Sequence, residues 1–83
     1  MAKNLTPHTM PRSLKNRVRK IRLEKGLTQQ ELAQAIGVSR QTIIALENGN
    51  SNPSVKIALK LASFFDQTLE GVFWLDLGSE ANH

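Results

Sequence analysis

The stretch from residue 27 to residue 50 constrains the fold of this chain more than any other part. Thr28 can accept a hydrogen bond from the first turn of a helix, and Glu31 can reach back to the Thr28 backbone N–H, so this pair forms a capping box. Gly37 stands where a helix must stop and the chain must turn, and Ser39 can cap a second helix. The stretch therefore predicts two short helices joined by a sharp turn.

The second of these helices has two distinct faces. Because residues three to four apart stack along a helix, Ile43 and Leu46 form its apolar stripe. Another face carries Arg40, Gln41, Ile44 and Ala45. Two helices of this length with a glycine-containing turn form a helix-turn-helix, in which the start of the second helix meets base edges in the major groove of DNA.

The segment resembles the Cro/C1-type (XRE) family of helix-turn-helix regulators of phages and bacteria. The matching residues are Gln29, Ala33, Gly37, Val38, Ile43, Leu46 and the run Glu47-Asn48-Gly49, and the match extends from about residue 14 to residue 73. The resemblance implies an all-α, five-helix, lambda-repressor-like fold. It also implies a transcriptional regulator that binds double-stranded DNA, and we expect a repressor that binds a palindromic operator as a homodimer.

The resemblance further implies which residues contact DNA. Arg40, Gln41, Ile44 and Ala45 match the positions that read bases, and the donor and acceptor geometry suits Arg40 to guanine and Gln41 to adenine. Ile44 departs from the family, which usually has a polar residue there, so a thymine methyl contact and a core or dimer contact both stay open. The candidate backbone contacts are Gln29, Ser39, Thr42, Asn48, Asn50 and Lys56. For Ser39 and Thr42, helix capping is an equally good explanation.

An ion pair between Arg22 and Glu47 is also implied by the resemblance. Helical spacing puts Arg22 on the inward side of the first helix, beside Val18 and Ile21. In the family, an Arg and a Glu at the positions of Arg22 and Glu47 form a largely buried pair that joins two helices. The alternative is that Arg22 contacts a phosphate and that Glu47 is solvated.

A dimer interface is expected near the C-terminus. A short terminal helix cannot bury all the apolar side chains there against its own domain. The candidates are Val72, Phe73, Trp74, Leu75 and Leu77. The alternative that Phe73 and Trp74 merely close the core stays open.

Charge and composition agree with a DNA-binding role without proving it. The formal net charge is +4, and all eleven Lys and Arg lie in residues 1–63, whereas residues 64–83 contain only acidic charges. A basic region is the electrostatic footprint of a polyanion partner. The absence of cysteine excludes disulfides and fits a cytoplasmic protein, and no apolar run suggests a signal peptide or a membrane span.

The remaining sequence divides into an arm, a domain and a tail. Residues 1–12 contain two prolines and no periodicity, so they form a flexible arm, and residues 13–77 form the domain, followed by a tail at 78–83. Ser13 is expected to cap a first helix that runs to about Lys25. A fifth helix is expected from Leu69 to about Leu75. The buried face predicted for the fourth helix consists of Val55, Ala58, Leu59, Leu61, Ala62 and Phe65.

Nothing in the sequence indicates catalysis or a cofactor. His8 and His83 lack other ligands at metal-binding spacing, and neither a phosphate-binding loop nor a nucleophile motif is present, so we expect no enzyme, no metal and no cofactor. A rival hypothesis from another class is a protein-binding module, such as the antitoxin partner of a toxin. RNA binding is a weaker alternative, because the aromatic residues cluster late in the chain instead of forming a stacking platform.

Overall fold

The computed structural model describes residues 13–76, which contain five helices and two short strands. In chain order they are β1 (Ser13–Asn16), α1 (Val18–Glu24), α2 (Gln29–Ile36), α3 (Arg40–Glu47), α4 (Val55–Phe64), α5 (Leu69–Val72) and β2 (Phe73–Asp76). The predicted arm at 1–12 and the predicted tail at 78–83 lie outside the described residues.

A small antiparallel sheet joins the two ends of the described chain, so the prediction of an all-α fold is only approximately right. Ser13 pairs with Asp76, and Asn16 pairs with Phe73. The prediction that Ser13 caps the first helix is therefore wrong, because Ser13 lies in β1 and α1 begins only at Val18. The aromatic side chains Phe73 and Trp74 of β2 favour a pleated surface, and pairing with β2 holds residues 13–16 extended.

Helix α5 is shorter than the predicted helix from Leu69 to about Leu75. It ends at Val72, and the backbone is extended at Phe73, with φ −127° and ψ 145°. The backbone N–H of Arg17 donates to the carbonyl of Val72 at 3.0 Å, which joins the end of α5 to the segment before α1. Gly71 weakens the helix, and strand pairing then takes over the residues that follow.

The hydrophobic core receives side chains from all five helices and from β2. Its members are Val18, Ile21, Leu32, Ala33, Ile36, Ile43, Leu46, Leu61, Ala62, Phe65, Val72 and Phe73. Two residues predicted to be buried on α4 are exposed instead, Val55 by 75% and Leu59 by 51%. Val55 lies before the first residue of α4 that contacts the core. The core-facing stripe of α4 runs through residues 58, 61, 62 and 65 at helical spacing, and Leu59 lies beside that stripe.

Candidate nucleic-acid interface

The predicted capping box sets the start of α2. The Glu31 N–H donates to Thr28 Oγ1 at 3.0 Å, and the Thr28 N–H donates to Glu31 Oε1 at 2.8 Å. At the other end Gly37 has φ 85°, in the left-handed region that glycine adopts without strain, and its N–H donates to the Ala33 carbonyl at 2.8 Å. These two devices fix where α2 begins and where the chain turns toward α3.

Ser39 caps α3, the second helix of the motif. Its Oγ accepts the Thr42 N–H at 3.1 Å and lies 2.9 Å from Thr42 Oγ1. Both hydroxyls are therefore engaged in capping, which accounts for the two residues without DNA. Their contact with a phosphate stays a prediction.

Helix α3 has one face in the core and one face toward solvent. Ile43 and Leu46 are buried, whereas Arg40 and Gln41 are exposed. Ile44 and Ala45, one turn further along the helix, are half-buried. The Arg40 and Gln41 side chains make no hydrogen bond or ion pair with another described residue. The four residues predicted to read bases thus share the outer side of α3, with two polar side chains uncommitted at its N-terminal end.

A buried ion pair holds the C-terminal end of α3 against α1. Arg22 Nε donates to Glu47 Oε2 at 2.6 Å, and Arg22 Nη2 donates to Glu47 Oε1 at 3.2 Å. The side chains are only 8% and 2% exposed, respectively. Arg22 Nη1 also donates to the Leu27 carbonyl at 2.8 Å, so Arg22 is directed inward.

Gln29 extends this network from the first turn of α2. Its Nε2 donates to Glu47 Oε1 at 3.1 Å, so Gln29 joins the start of α2 to the end of α3. Asn48 and Asn50 follow α3 directly and are exposed, as is Lys56 at the start of α4. All three are accessible to a ligand, and their contacts with the DNA backbone remain predictions.

A helix-turn-helix family model matches residues 18–72, the segment that contains this motif. The chain belongs to the XRE family of helix-turn-helix regulators. This family is one of DNA-binding transcriptional regulators and not of enzymes, so this XRE-family chain is a regulator that binds double-stranded DNA.

Relatives and a solved structure agree with the family model. The chain is 48% identical over 60 residues to an uncharacterized HTH-type transcriptional regulator of Methanocaldococcus jannaschii, and the match covers 72% of this chain and 91% of the relative. It is 38% identical over 50 residues to the cryptic phage CTXphi transcriptional repressor RstR of Vibrio cholerae, covering 60% of this chain and 45% of RstR. The restriction-modification controller protein C.AhdI of Aeromonas hydrophila has a similar structure, with TM-score 0.62 and 36% identity, covering 66% of this chain and 83% of that protein.

The structure changes the set of residues available for the dimer interface of this XRE-family chain. Val72 is fully buried and Phe73 is only 6% exposed, so the folded protomer offers a partner little of either side chain, although Phe73 lines the apolar groove defined below; the interface itself stays a prediction. Trp74 and Leu75 are 40% and 56% exposed, and Leu77 lies outside the described residues. An open apolar groove of about 540 Å³ lies beside them, and we define it by Leu14, Val55, Leu69, Trp74 and Leu75.

Three polar side chains near the motif were not anticipated from the sequence. Asn16 Nδ2 donates to the Leu46 carbonyl at 3.1 Å, and Lys60 Nζ donates to the Ile36 carbonyl at 3.3 Å, each at the end of a motif helix. The Arg17 guanidinium lies over the Trp74 ring, 4.9 Å from its centroid. Asn16 had a local signal, because an Asn just before a helix often accepts a backbone N–H two residues on. The contacts of Arg17 and Lys60 are with residues far away along the chain, so no local sequence pattern indicates them.

The described residues offer few other kinds of site. Within residues 13–76 no group of three or more His, Cys, Asp and Glu side chains is placed to hold a metal ion. None of the helices described is long and apolar enough to span a membrane.

Proposed function

We propose that this chain represses transcription by binding a palindromic operator as a dimer, with α3 in the major groove. The observation that carries the proposal is the pair of exposed, uncommitted side chains, Arg40 and Gln41, at the N-terminal end of a helix whose other face is fixed in the core. In helix-turn-helix proteins this end of the second helix contacts base edges. A side chain without an internal partner gives up no protein contact when it binds a base.

Three of the four proposed base-reading residues can be matched to a base by their chemistry. Arg40 can donate two hydrogen bonds to guanine O6 and N7, and Gln41 can both donate to and accept from adenine. Ile44 and Ala45 lie one turn further along and are half-buried. We assign Ile44 to an apolar contact with a thymine methyl group, since its remaining exposed surface is on the side of α3 away from the core.

The proposed contacts with the DNA backbone come from α3 and from the segments before and after it. We assign phosphate contacts to Gln29, Ser39, Thr42, Asn48, Asn50 and Lys56, of which all but Gln29 are exposed. Such contacts fix the register of the protein on the duplex and carry no base information of their own. Because phosphate neutralisation releases counterions, affinity should fall steeply as salt rises.

A dimer is proposed because one short helix reads too few base pairs for useful specificity. Two copies on half-sites about 10 bp apart double the number of bases read. We assign the apolar groove, with Trp74 and Leu75, to contact with a second copy. The rival occupant is a different protein, as the antitoxin hypothesis supposes. A chain that sediments as a monomer at high micromolar concentration, both free and on a palindromic duplex, would contradict the dimer.

Repression is favoured over activation by the match to RstR, which is named a transcriptional repressor. A dimer bound across a promoter excludes polymerase without any contact to it. A reporter gene behind the selected operator tests this, since repression predicts lower transcription when the wild-type chain is expressed. Higher transcription would contradict the proposal.

Selection of bound duplexes from a random pool is the experiment that tests the DNA-reading proposal. We expect an inverted repeat, and we expect Arg40→Ala and Gln41→Ala each to lose about 1–3 kcal/mol on the selected site and to relax preference at one base position. Lys25→Ala is the control for Arg40→Ala, because it removes one exposed positive charge elsewhere. Gln67→Ala is the control for Gln41→Ala, because it removes an exposed amide outside the motif. If Arg40→Ala and Gln41→Ala weaken binding equally on selected and random DNA, they are phosphate contacts and the assignment is wrong.

A further inference from the structure

We infer that Asn16 is a positioning residue that sets the angle of α3 relative to the β1–β2 sheet, and thereby the half-site spacing that the dimer accepts. This inference rests on the dimer proposed above. The observation that carries it is a pair of hydrogen bonds made by one amide. Asn16 Nδ2 donates to the Leu46 carbonyl at 3.1 Å, and Asn16 Oδ1 accepts the Val18 N–H at 3.0 Å.

The bond to Leu46 acts at the C-terminal end of α3. Carbonyls in the last turn of a helix lack partners within the helix, so a donor from another element fastens that end. The Leu46 carbonyl also accepts the Gly49 N–H at 3.1 Å, and the Leu46 side chain is buried in the core. Asn16 therefore bonds to the anchored end of α3 and connects that end directly to β1.

The backbone of Asn16 belongs to the sheet that borders the apolar groove. Asn16 ends β1 and pairs with Phe73 in β2, and the next residues of β2 are Trp74 and Leu75. The Arg17 N–H donates to the Val72 carbonyl at 3.0 Å and fixes the same junction. A second copy that contacts β2 is thus linked through Asn16 to the end of α3.

The geometric consequence is a restriction on the distance between the two copies of α3 in the dimer. In a dimer, each α3 must enter the major groove one helical turn of DNA from the other. With the Asn16 bond in place, the angle of α3 to the sheet is fixed and one spacing fits best. Without it, α3 keeps its core contacts and its ion pair to α1 but loses its direct bond to β1, so its C-terminal end can shift relative to the sheet while the base-reading residues Arg40 and Gln41 remain unchanged.

Asn16→Ala and Asn16→Ser test the inference by affinity for a single half-site and for palindromes whose spacing is changed by one or two base pairs. We expect the ratio of palindrome to half-site affinity to fall about tenfold in both variants, the scale of one or two lost hydrogen bonds. The preference for one spacing should flatten as well. Ser can still accept the Val18 N–H, as capping serines do, but its side chain is too short to reach Leu46.

Ile57→Val is the control for simple loss of stability, because Ile57 packs against the core from α4 and has no bond to α3. It should lower binding to half-site and palindrome in the same proportion. If the Asn16 variants behave in that way, or keep the wild-type spacing preference, the inference is wrong. Wild-type protein that binds the palindrome no better than the half-site contradicts the dimer itself. That result is seen before any variant is made, and the inference then falls with the dimer.

Discussion

Replacing Glu47 by Ala is expected to cost about 3–5 kcal/mol of folding free energy, because it leaves a buried guanidinium without its carboxylate. In the structure Glu47 accepts from Arg22 Nε at 2.6 Å, from Arg22 Nη2 at 3.2 Å and from Gln29 Nε2 at 3.1 Å. After the substitution, the Arg22 guanidinium keeps only its bond to the Leu27 carbonyl, at 2.8 Å, among the bonds found in residues 13–76.

The expected loss is large relative to the whole stability of a small domain. The free energy of unfolding of a domain is about 5–15 kcal/mol. For a domain in the middle of that range, removal of one partner therefore lowers the free energy of unfolding by roughly a third or more. At about 4–8 °C per kcal/mol for a domain of this size, the melting temperature should fall by roughly 12–40 °C. For a domain at the lower end of the stability range, about 5 kcal/mol, the same loss would leave a measurable unfolded fraction even at about 25 °C.

Urea unfolding and thermal melts without DNA measure this loss. Arg22→Ala should cost a similar amount, since it leaves the Glu47 carboxylate with Gln29 alone among the donors described. Arg22→Met combined with Glu47→Leu should recover much of the stability, because well-packed apolar side chains often replace a buried ion pair without loss. The recovery separates the cost of a stranded charge from the net contribution of the pair.

An exposed ion pair in the same domain is the matched control. Lys15 Nζ lies 4.0 Å from Asp76 Oδ2, with side chains 52% and 43% exposed, so Lys15→Ala should cost only about 0–1 kcal/mol. The reasoning is refuted if Arg22→Ala melts within about 2 °C of the wild type, well short of the shift expected for a stranded charge, but loses DNA affinity. That outcome would make Arg22 a phosphate contact.

Other predictions concern the turn, the cap and the groove. Gly37→Ala should cost about 1–2 kcal/mol by urea unfolding because φ is 85° there, and Gly37→Asn should cost less; equal costs would point to packing instead of backbone strain. Thr28→Ala should cost about 1 kcal/mol by losing the capping box, and an unchanged urea midpoint would show that the box adds nothing. Leu75→Lys should shift sedimentation toward monomer, whereas Leu23→Lys should not, although the two Leu residues are 56% and 55% exposed; equal behaviour would place the interface elsewhere.

The motif was predictable because its signals are local. Thr28 and Glu31 form a capping box at fixed spacing, Gly37 supplies the left-handed turn and Ser39 supplies the next cap, and all of these are present in the structure. Each depends on bonds within a few residues along the chain, so one sequence suffices to locate it. The buried partnership of Arg22 and Glu47 is not local, and it was expected only from the family resemblance.

The strand pair could not be predicted in the same way. Ser13–Asn16 and Phe73–Asp76 lie at opposite ends of the described chain, and neither segment is long enough to show a clear alternation of its own. The missed sheet also explains why two of the predicted interface residues have little exposed surface. Once β2 replaces the last turn of a longer α5, Val72 and Phe73 are buried in the core, while Trp74 and Leu75 stay exposed.

The two ends of α3 are held differently, and under the proposed base-reading role this separates stability from base recognition. At the C-terminal end, Glu47 is held by the buried ion pair and the Leu46 carbonyl by Asn16. At the N-terminal end, the Ser39 cap uses only short-range bonds, and Arg40 and Gln41 extend to solvent without partners in residues 13–76. A change at 40 or 41 therefore breaks no bond on which folding depends. If Arg40 and Gln41 read bases as proposed, the preferred operator can change through these positions while the anchoring of the helix stays the same.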